Sequence, residues 1–456
     1  MNHRSDGIML GRSNAAWIWS GSQRSCLALG PTRSGKTSSL IIPNVLCAPG
    51  SVVVTSTKQD VLDATHRARS EAGDCFLFDP LGSIEAPDSV QGIHWSPLRL
   101  AHTWDGALLA ANAMVGAARL GRQLSDDHWS ERAGALLACL LHASALEHVT
   151  MSEITAWVDR RQVAEPLAIL DHHLGTHPAI DLLLGISATE ARELSSIYST
   201  ASGTLGVYRS DAVRKHYDLP EIDAQQFAHS SDTLYVCASS SSQRLLAPLV
   251  VGMLSDISES VFRRSDDLPH TLFALDELAN IAPLPDLPRL ISEGAGQGLL
   301  VLGCLQDLSQ ARQRWGAIAD GFLSLFSTTV VFPGVADRST LELIAALGGE
   351  HDVLRSSITY PMGRGARGSR TDAAHPETIY QSAITARGKV DQALLLDASK
   401  NVNWISLSPA YRDEPWKSLS GSQTRDRLIP EPYSARSVND RYDRRRDELA
   451  PTDRGR

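Results

Sequence analysis

The amino-acid sequence predicts an α/β protein: a parallel-rich, doubly wound sheet that carries a phosphate-binding loop, with an all-helical segment inserted into it. Three observations predict this. Gly30-Pro31-Thr32-Arg33-Ser34-Gly35-Lys36-Thr37 spells G-x-x-x-x-G-K-[ST] between an apolar run and a helix-compatible segment. Apolar runs of strand length alternate with helical patterns through residues 1–120 and again from about residue 219. From 125 to about 208 the strand signal disappears and apolar residues recur at helical spacing.

Taken in order, Cys26-Leu27-Ala28-Leu29 reads as the strand entering the loop, and the segment from Thr37 to Ile42 as the helix leaving it. Pro43 falls inside that helix and should kink or end it. The β-branched run Ser51 to Thr55 suits a central parallel strand. Asp60 to Ser70 is helix-like, and Cys75 to Phe78 is a strand stopped by Asp79-Pro80. Trp129, Ala133, Leu136, Leu137, Leu140 and Leu141 mark one amphipathic helix of the insertion, with more helical pattern in Val163 to His173 and Glu190 to Ser202. His172, His173 and His177 cluster there without a cysteine or a paired acidic set, so a metal site is not expected. Alternation resumes with Thr233 to Cys237, a long helix from Arg244 to Phe262, then Leu272 to Leu275 running into Asp276-Glu277. Leu299 to Leu305 ends in Gln306, and Thr328 to Phe332 is a further strand. Met362 to His375 is Gly/Arg/Ser-rich and reads as a mobile loop. Ala393 to Leu396 and Trp404 to Leu407 look like closing strands, and 421–456 reads as a disordered charged tail.

The 456 residues suffice for two or three domains, with 43% hydrophobic and 21% charged residues, as in an ordinary globular protein. A net charge of −9 argues against a surface coated in basic patches but leaves room for a local basic channel. The scattered cysteines, mostly inside apolar runs, read as reduced core residues of a cytosolic protein. No apolar stretch approaches the ~18 residues of a membrane span.

The chemistry explains the spelling of the loop. Gly30 and Gly35 let backbone N–H groups approach phosphate oxygens, so Gly30, Pro31, Thr32, Arg33, Ser34, Gly35, Lys36, Thr37 and Ser38 are the expected nucleotide-binding residues. Lys36 is expected to reach the β/γ-phosphates, and Thr37 and Asp276 to hold Mg²⁺. Glu277 is placed to orient or deprotonate the attacking water, and Gln306 to hydrogen-bond the γ-phosphate or that water. Lys58, just past the second strand, points to the same sheet edge.

Together these residues resemble the type IV coupling proteins, the TraG/TraD-like motors of conjugation within the FtsK–HerA group, most of all their actinobacterial branch. The blocks that carry the resemblance include Gly7 to Arg12, the loop itself, Ile42-Pro43-Asn44, Phe78-Asp79-Pro80, Trp95-Ser96-Pro97-Leu98 and Leu275 to Leu284 with Leu305 to Gln310. The resemblance implies a RecA-like motor domain in two segments, 1–120 and 216–420, an all-helical domain over 121–215 that recognises substrate, and a ring of six. It implies ATP and Mg²⁺ as cofactors, with Lys36, Asp276, Glu277 and Gln306 catalytic. The implied partners are DNA, a relaxase-bearing nucleoprotein and a secretion channel or membrane-anchored protein. Relatives usually carry N-terminal transmembrane helices whereas this chain starts almost at the motor, which implies either a lineage with a separate membrane partner or a misplaced start or fragmentary gene; the expected location is the cytoplasm or the inner face of the membrane. Many relatives also place an arginine where Ala295 stands, acting on the neighbouring subunit's nucleotide; Arg312, Arg314 and Arg338 are the alternatives here. Two other readings remain open: a soluble DNA translocase of a mobile element, and a docking protein that binds nucleotide but hardly hydrolyses it.

Overall fold

The computed structural model describes residues 7–13, 16–119, 127–264, 268–348, 350–359, 369–378, 391–397 and 402–421. The expected tail lies, apart from Gly421, outside the described residues. The first half of the chain contributes β1 (Met9–Ser13), β2 (Ala16–Trp19), β3 (Cys26–Leu29), β4 (Val52–Ser56), β5 (Cys75–Phe78) and β6 (Gln91–Gly92). The second half contributes β7 (Thr233–Cys237), β8 (Thr271–Leu275), β9 (Leu299–Leu305), β10 (Thr328–Val331), β11 (Glu350–Thr359), β12 (Ser369–Thr378), β13 (Gln392–Leu396) and β14 (Val402–Ser406).

One twelve-stranded sheet runs β2-β1-β14-β13-β10-β3-β9-β8-β4-β7-β5-β6. From β10 to β6 all neighbours are parallel. On the other side of β10, strands β13, β14, β1 and β2 continue the sheet antiparallel. Strands β3, β4, β7, β8, β9 and β10 are buried along their whole length, which is why they read as unbroken apolar runs rather than alternating ones. Alternate residues still feed two separate cores. Leu27, Leu29, Val53, Phe273 and Leu275 face the helices inserted between β6 and β7. Cys26, Ala28, Val52, Val54 and Ala274 face the helix that follows the loop.

The segment between β6 and β7 is helical, with Trp104–Arg119, Asp127–Glu147, Met151–Arg160, Ala164–Leu174, Pro178–Ser187 and Ala191–Thr204 as its main helices. Its apolar residues form one continuous cluster with the sheet face and with helix Gln243–Phe262. That last helix is long and apolar enough to cross a membrane by composition, but 72% of its apolar window is buried in this core. Met151–Arg160 opens with a capping box in which Thr150 and Glu153 satisfy each other's backbone N–H groups. His173 pairs with Glu147 and His177 accepts from Ala179 N at the start of Pro178–Ser187.

One expectation is narrowed and another needs correction. Of a kink or an end at Pro43, the helix shows a local change of winding and does not end. Thr37–Ile41 winds as a π-turn, Ile42–Cys47 continues as α-helix, and Pro43 sits in the first turn of the α part, where a missing N–H is tolerated. The π-turn pairs Ile42 N with Thr37 O, so Ser38 O has no amide to receive at residue 43. Ala410 N fills that place from the far end of the chain, at 2.8 Å. The loop expected over 362–375 is only partly outside the described residues: from Ser369 onward the backbone belongs to β12, which pairs with β11 over ten register positions. A ladder between main-chain groups needs no apolar alternation, so composition alone misses it.

Buried polar side chains tie the layers together. Asn44 Oδ1 accepts from Met9 N at 2.7 Å, and its Nδ2 donates to Met9 O at 2.8 Å and Leu40 O at 2.9 Å, fastening the helix after the loop to β1. At the edge where the parallel strands begin, Arg69 donates to Thr233 Oγ1 and to the carbonyls of Ala48, Gly50 and Ser231. Arg264 does the same for Ala228, Thr271, Pro269 and Gly298. Replacing Asn44 with alanine leaves both Met9 groups unpaired in the core. The expected cost is about 2–4 kcal/mol, read as a lowered urea midpoint with an unchanged slope.

Candidate nucleotide-binding site

The parallel strands end at one edge, and the strand order decides what meets there. β9 lies between β3 and β8, with Leu29 opposite Leu305 and Leu275 opposite Gly303. The loop after β3, Gln306 after β9 and Asp276-Glu277 after β8 therefore emerge side by side.

The loop is built for close approach. Gly30 N donates to Leu305 O at 3.1 Å, and a Cβ at Gly30 would stand 2.7 Å from both Phe332 Cβ and Ser34 Oγ. Gly35 has φ +95°, a conformation that favours glycine, and Arg33 takes the left-handed φ of 64° nearby. Pro31 is half-buried, while Thr32 and Arg33 are exposed. Ser34 N donates to Pro31 O, but the buried Ser34 hydroxyl has no partner among the described residues. Lys36 folds its ammonium onto the loop's own carbonyls, 2.6 Å from Gly30 O and 3.0 Å from Pro31 O. Ser38 Oγ donates to Gly35 O at 3.3 Å. The opening N–H groups of the helix have no carbonyl one turn earlier to receive them, and they point toward the loop.

Across from it, Thr37 Oγ1 donates to Asp276 Oδ2 at 2.7 Å. Burial lifts the Asp276 carboxyl from 3.8 to about 6; the Thr37 hydroxyl and Lys36 pull it down, and Glu277 and Asp60 push it further up. Glu277 Oε2 accepts from Asn280 Nδ2 at 3.0 Å, and Asn280 Oδ1 accepts from Arg314 Nη2 at 3.5 Å. Gln306 is exposed at the end of β9, its N–H bonded to Gln310 Oε1 at 2.9 Å. Lys58 is exposed beyond β4. The structure thus brings together all the loop residues, Asp276, Glu277 and Gln306. Asn280 and Asp60 were not singled out from sequence, although Asn280 stands one turn past Glu277.

The donor set fits a phosphate chain with a hard cation. An orphaned hydroxyl, a lysine resting on carbonyls and a threonine–aspartate pair supply the partners such a ligand needs.

The family model described as "Type IV secretory system Conjugative DNA transfer" matches residues 2–375. The chain belongs to this family. Among its relatives, the VirD4 protein of Rhizobium radiobacter is 24% identical over 356 residues, 76% of this chain and 51% of that protein. A conjugal transfer protein TraG of Escherichia coli is 26% identical over 321 residues, 63% of this chain and 49% of that one. The chain spans about half the length of the curated relatives it matches. The fold is that of the bacterial conjugative coupling protein TrwB: the unbound form superposes with TM-score 0.65 at 18% identity, covering 89% of each chain. A TrwB complex with ADP and Mg²⁺ superposes with TM-score 0.62 at 18% identity, covering 85% of each.

Ala295 lies in the turn Gly294–Gln297 before β9, at the sheet edge opposite the loop, buried and with its carbonyl 3.1 Å from His270 Nε2. Of the alternative arginines, Arg312 pairs with Asp320 and Arg338 with Glu342, while Arg314 reaches Asn280 beside Glu277.

The raised Asp276 value has a signed consequence for stability. Between the unfolded value near 4 and the folded value near 6 the folded chain keeps a proton that the unfolded chain has released. Wild-type stability therefore falls as pH rises through that window, and Asp276→Asn lacks this fall. In nucleotide-free protein the variant's advantage in denaturant midpoint should grow from about pH 4 to about pH 6 and level off above it.

Proposed function

We propose that this chain is the ATP-hydrolysing motor part of a type IV coupling protein, one that binds DNA or a relaxase-bearing nucleoprotein and delivers it to a transfer channel. The Thr37–Asp276 contact carries the reading, because it sets a hydroxyl and a carboxylate side by side at the mouth of the loop. Family membership supplies the direction.

In this reading Lys36 leaves the carbonyls of Gly30 and Pro31 for the β/γ-phosphates, and the Ser34 hydroxyl gains the partner it lacks. Thr37 and Asp276 would hold Mg²⁺, which when bound would supply neutralisation of phosphate charge. Glu277, held by Asn280, accepts the proton of the attacking water. Gln306, on the strand between, contacts the γ-phosphate or that water, so its orientation changes when the γ-phosphate leaves. ATP, Mg²⁺, DNA, a membrane-anchored or channel partner and a homohexameric ring are the companions this reading names. It sets the chain at the inner face of the membrane, held there by that partner.

A second reading is favoured by Ala295: a docking protein that binds nucleotide but turns it over weakly, since a small buried side chain stands where the resemblance implies an arginine in many relatives.

The test is ATPase activity of the purified chain with and without DNA. Glu277→Gln should lower the turnover rate about 10²–10⁴-fold while leaving nucleotide binding intact. Lys36→Ala should abolish both DNA-stimulated hydrolysis and tight nucleotide binding. DNA-stimulated hydrolysis that survives Lys36→Ala sinks the motor reading; binding with no stimulated turnover in wild type supports the docking reading.

A further inference from the structure

The carboxylate of Glu277 is gripped by a chain of side chains that ends on the helix after Gln306. The turn following β8 folds back on Glu277, whose carbonyl accepts from Asn280 N and Ile281 N, each at 2.9 Å. Leu278, Ala279 and Ile281 of that turn are buried, so packing fixes the backbone beneath Glu277. The carboxylate itself is not fixed by this, because a glutamate side chain has several rotatable bonds.

Asn280 removes that freedom. Its Nδ2 donates to Glu277 Oε2 at 3.0 Å, and its Oδ1 accepts from Arg314 Nη2 at 3.5 Å. These two neighbours leave the amide one orientation. Turned over, it would set its oxygen against the carboxylate and its amino group against the guanidinium. A cation at one end and an anion at the other thus align the amide between them.

Arg314 belongs to helix Leu308–Trp315, which begins just past the end of β9 and Gln306. Gln310, one turn before Arg314 on the same helix face, accepts from Gln306 N at 2.9 Å. The helix is firmly seated. Asp307 caps its start by accepting from Ser309 N and Gln310 N, and Thr340 Oγ1 accepts from Leu308 N. At its end Trp315 Nε1 donates to Leu284 O at 2.8 Å. One helix face therefore touches Gln306 directly and Glu277 through Asn280.

We propose that Asn280 and Arg314 are positioning residues that aim the Glu277 carboxylate, and that helix Leu308–Trp315 makes their grip follow the state of Gln306. These roles rest on the reading of Glu277 as the base and of Gln306 as the group facing the γ-phosphate. A change at Gln306 moves Gln310, and the helix carries the motion to Arg314. The Asn280 amide then re-aims the carboxylate without itself meeting nucleotide.

Variants of the full chain are compared in steady-state ATP hydrolysis with DNA present. Asn280→Ala should lower kcat about 10–100-fold, while KM and the affinity for ADP with Mg²⁺ stay within about twofold. Arg314→Met should lower kcat about 3–10-fold, and Arg314→Lys, which keeps a donor, should recover most of that loss. In an Asn280→Ala background Arg314→Met should cost nothing more, since both act through one amide. An unchanged melting temperature verifies the fold of each variant. Wild-type turnover in Glu277→Gln overturns the reading of the site itself. A kcat that falls in Glu277→Gln but not in Asn280→Ala, or additive losses in the double variant, overturns the positioning role alone.

Nuclear magnetic resonance of protein carrying isotope-labelled asparagine reads the same grip without turnover. The Asn280 side-chain amide signal, recognised by its loss in Asn280→Ala, should move in Arg314→Met. It should also move when the β,γ-imido analogue of ATP replaces ADP, and Gln310→Ala should suppress that second movement. A signal indifferent to Arg314→Met overturns the grip. One indifferent to the analogue, or responding to it equally in Gln310→Ala, overturns the link to Gln306.

Discussion

The contact between Thr37 and Asp276 depends on nearly everything else in the α/β part of this chain. Its two residues are separated by 239 positions in the chain. They meet at 2.7 Å because β3 and β8 are parallel strands with a single strand between them, ending in register at one edge. A one-residue slip of β8 would turn Asp276 to the other sheet face. The fully apolar strands prevent such a slip only weakly by alternation, since both their faces are buried. The specification comes from side-chain shape in two different cores and from polar clamps at the other edge. Arg69 and Arg264 each gather carbonyls from several segments there. An unpaired buried guanidinium is costly, so the strand starts are held in the one arrangement that satisfies both.

Much of this was legible in the sequence because the central strands are short, apolar and punctuated. Cys26–Leu29, Cys75–Phe78 and Thr233–Cys237 begin and end where the apolar runs do. The loop and the carboxylates after β8 were legible because their chemistry demands fixed residue types at fixed spacing. What escaped had no such signature. β1 and β2 pair across an irregularity between Met9 and Gly11, which breaks the alternating pattern, and β6 has two residues. The β11–β12 ladder is a main-chain structure inside a stretch of unpatterned composition. The clamps of Arg69 and Arg264 were invisible because an arginine in a polar segment reads as surface until its carbonyl partners are known. Asn280 was hidden for the same reason: its meaning lies in Glu277 and Arg314, which only the fold brings to it.

Pro43 shows how a local oddity is resolved at long range. Read alone, it breaks a helix. In the fold, the π-turn shifts the unsatisfied carbonyl to Ser38, next to the residue that meets Asp276, and the segment after β14 supplies the missing donor. The same segment sets Trp416 against Trp17 with ring centroids 5.3 Å apart, so the strap is anchored at two points.

That strap makes the helix behind the phosphate loop a joint product of two distant stretches of sequence. The carbonyl next to Thr37 takes its amide partner from Ala410, so the π-turn is completed by a segment that lies after the last strand.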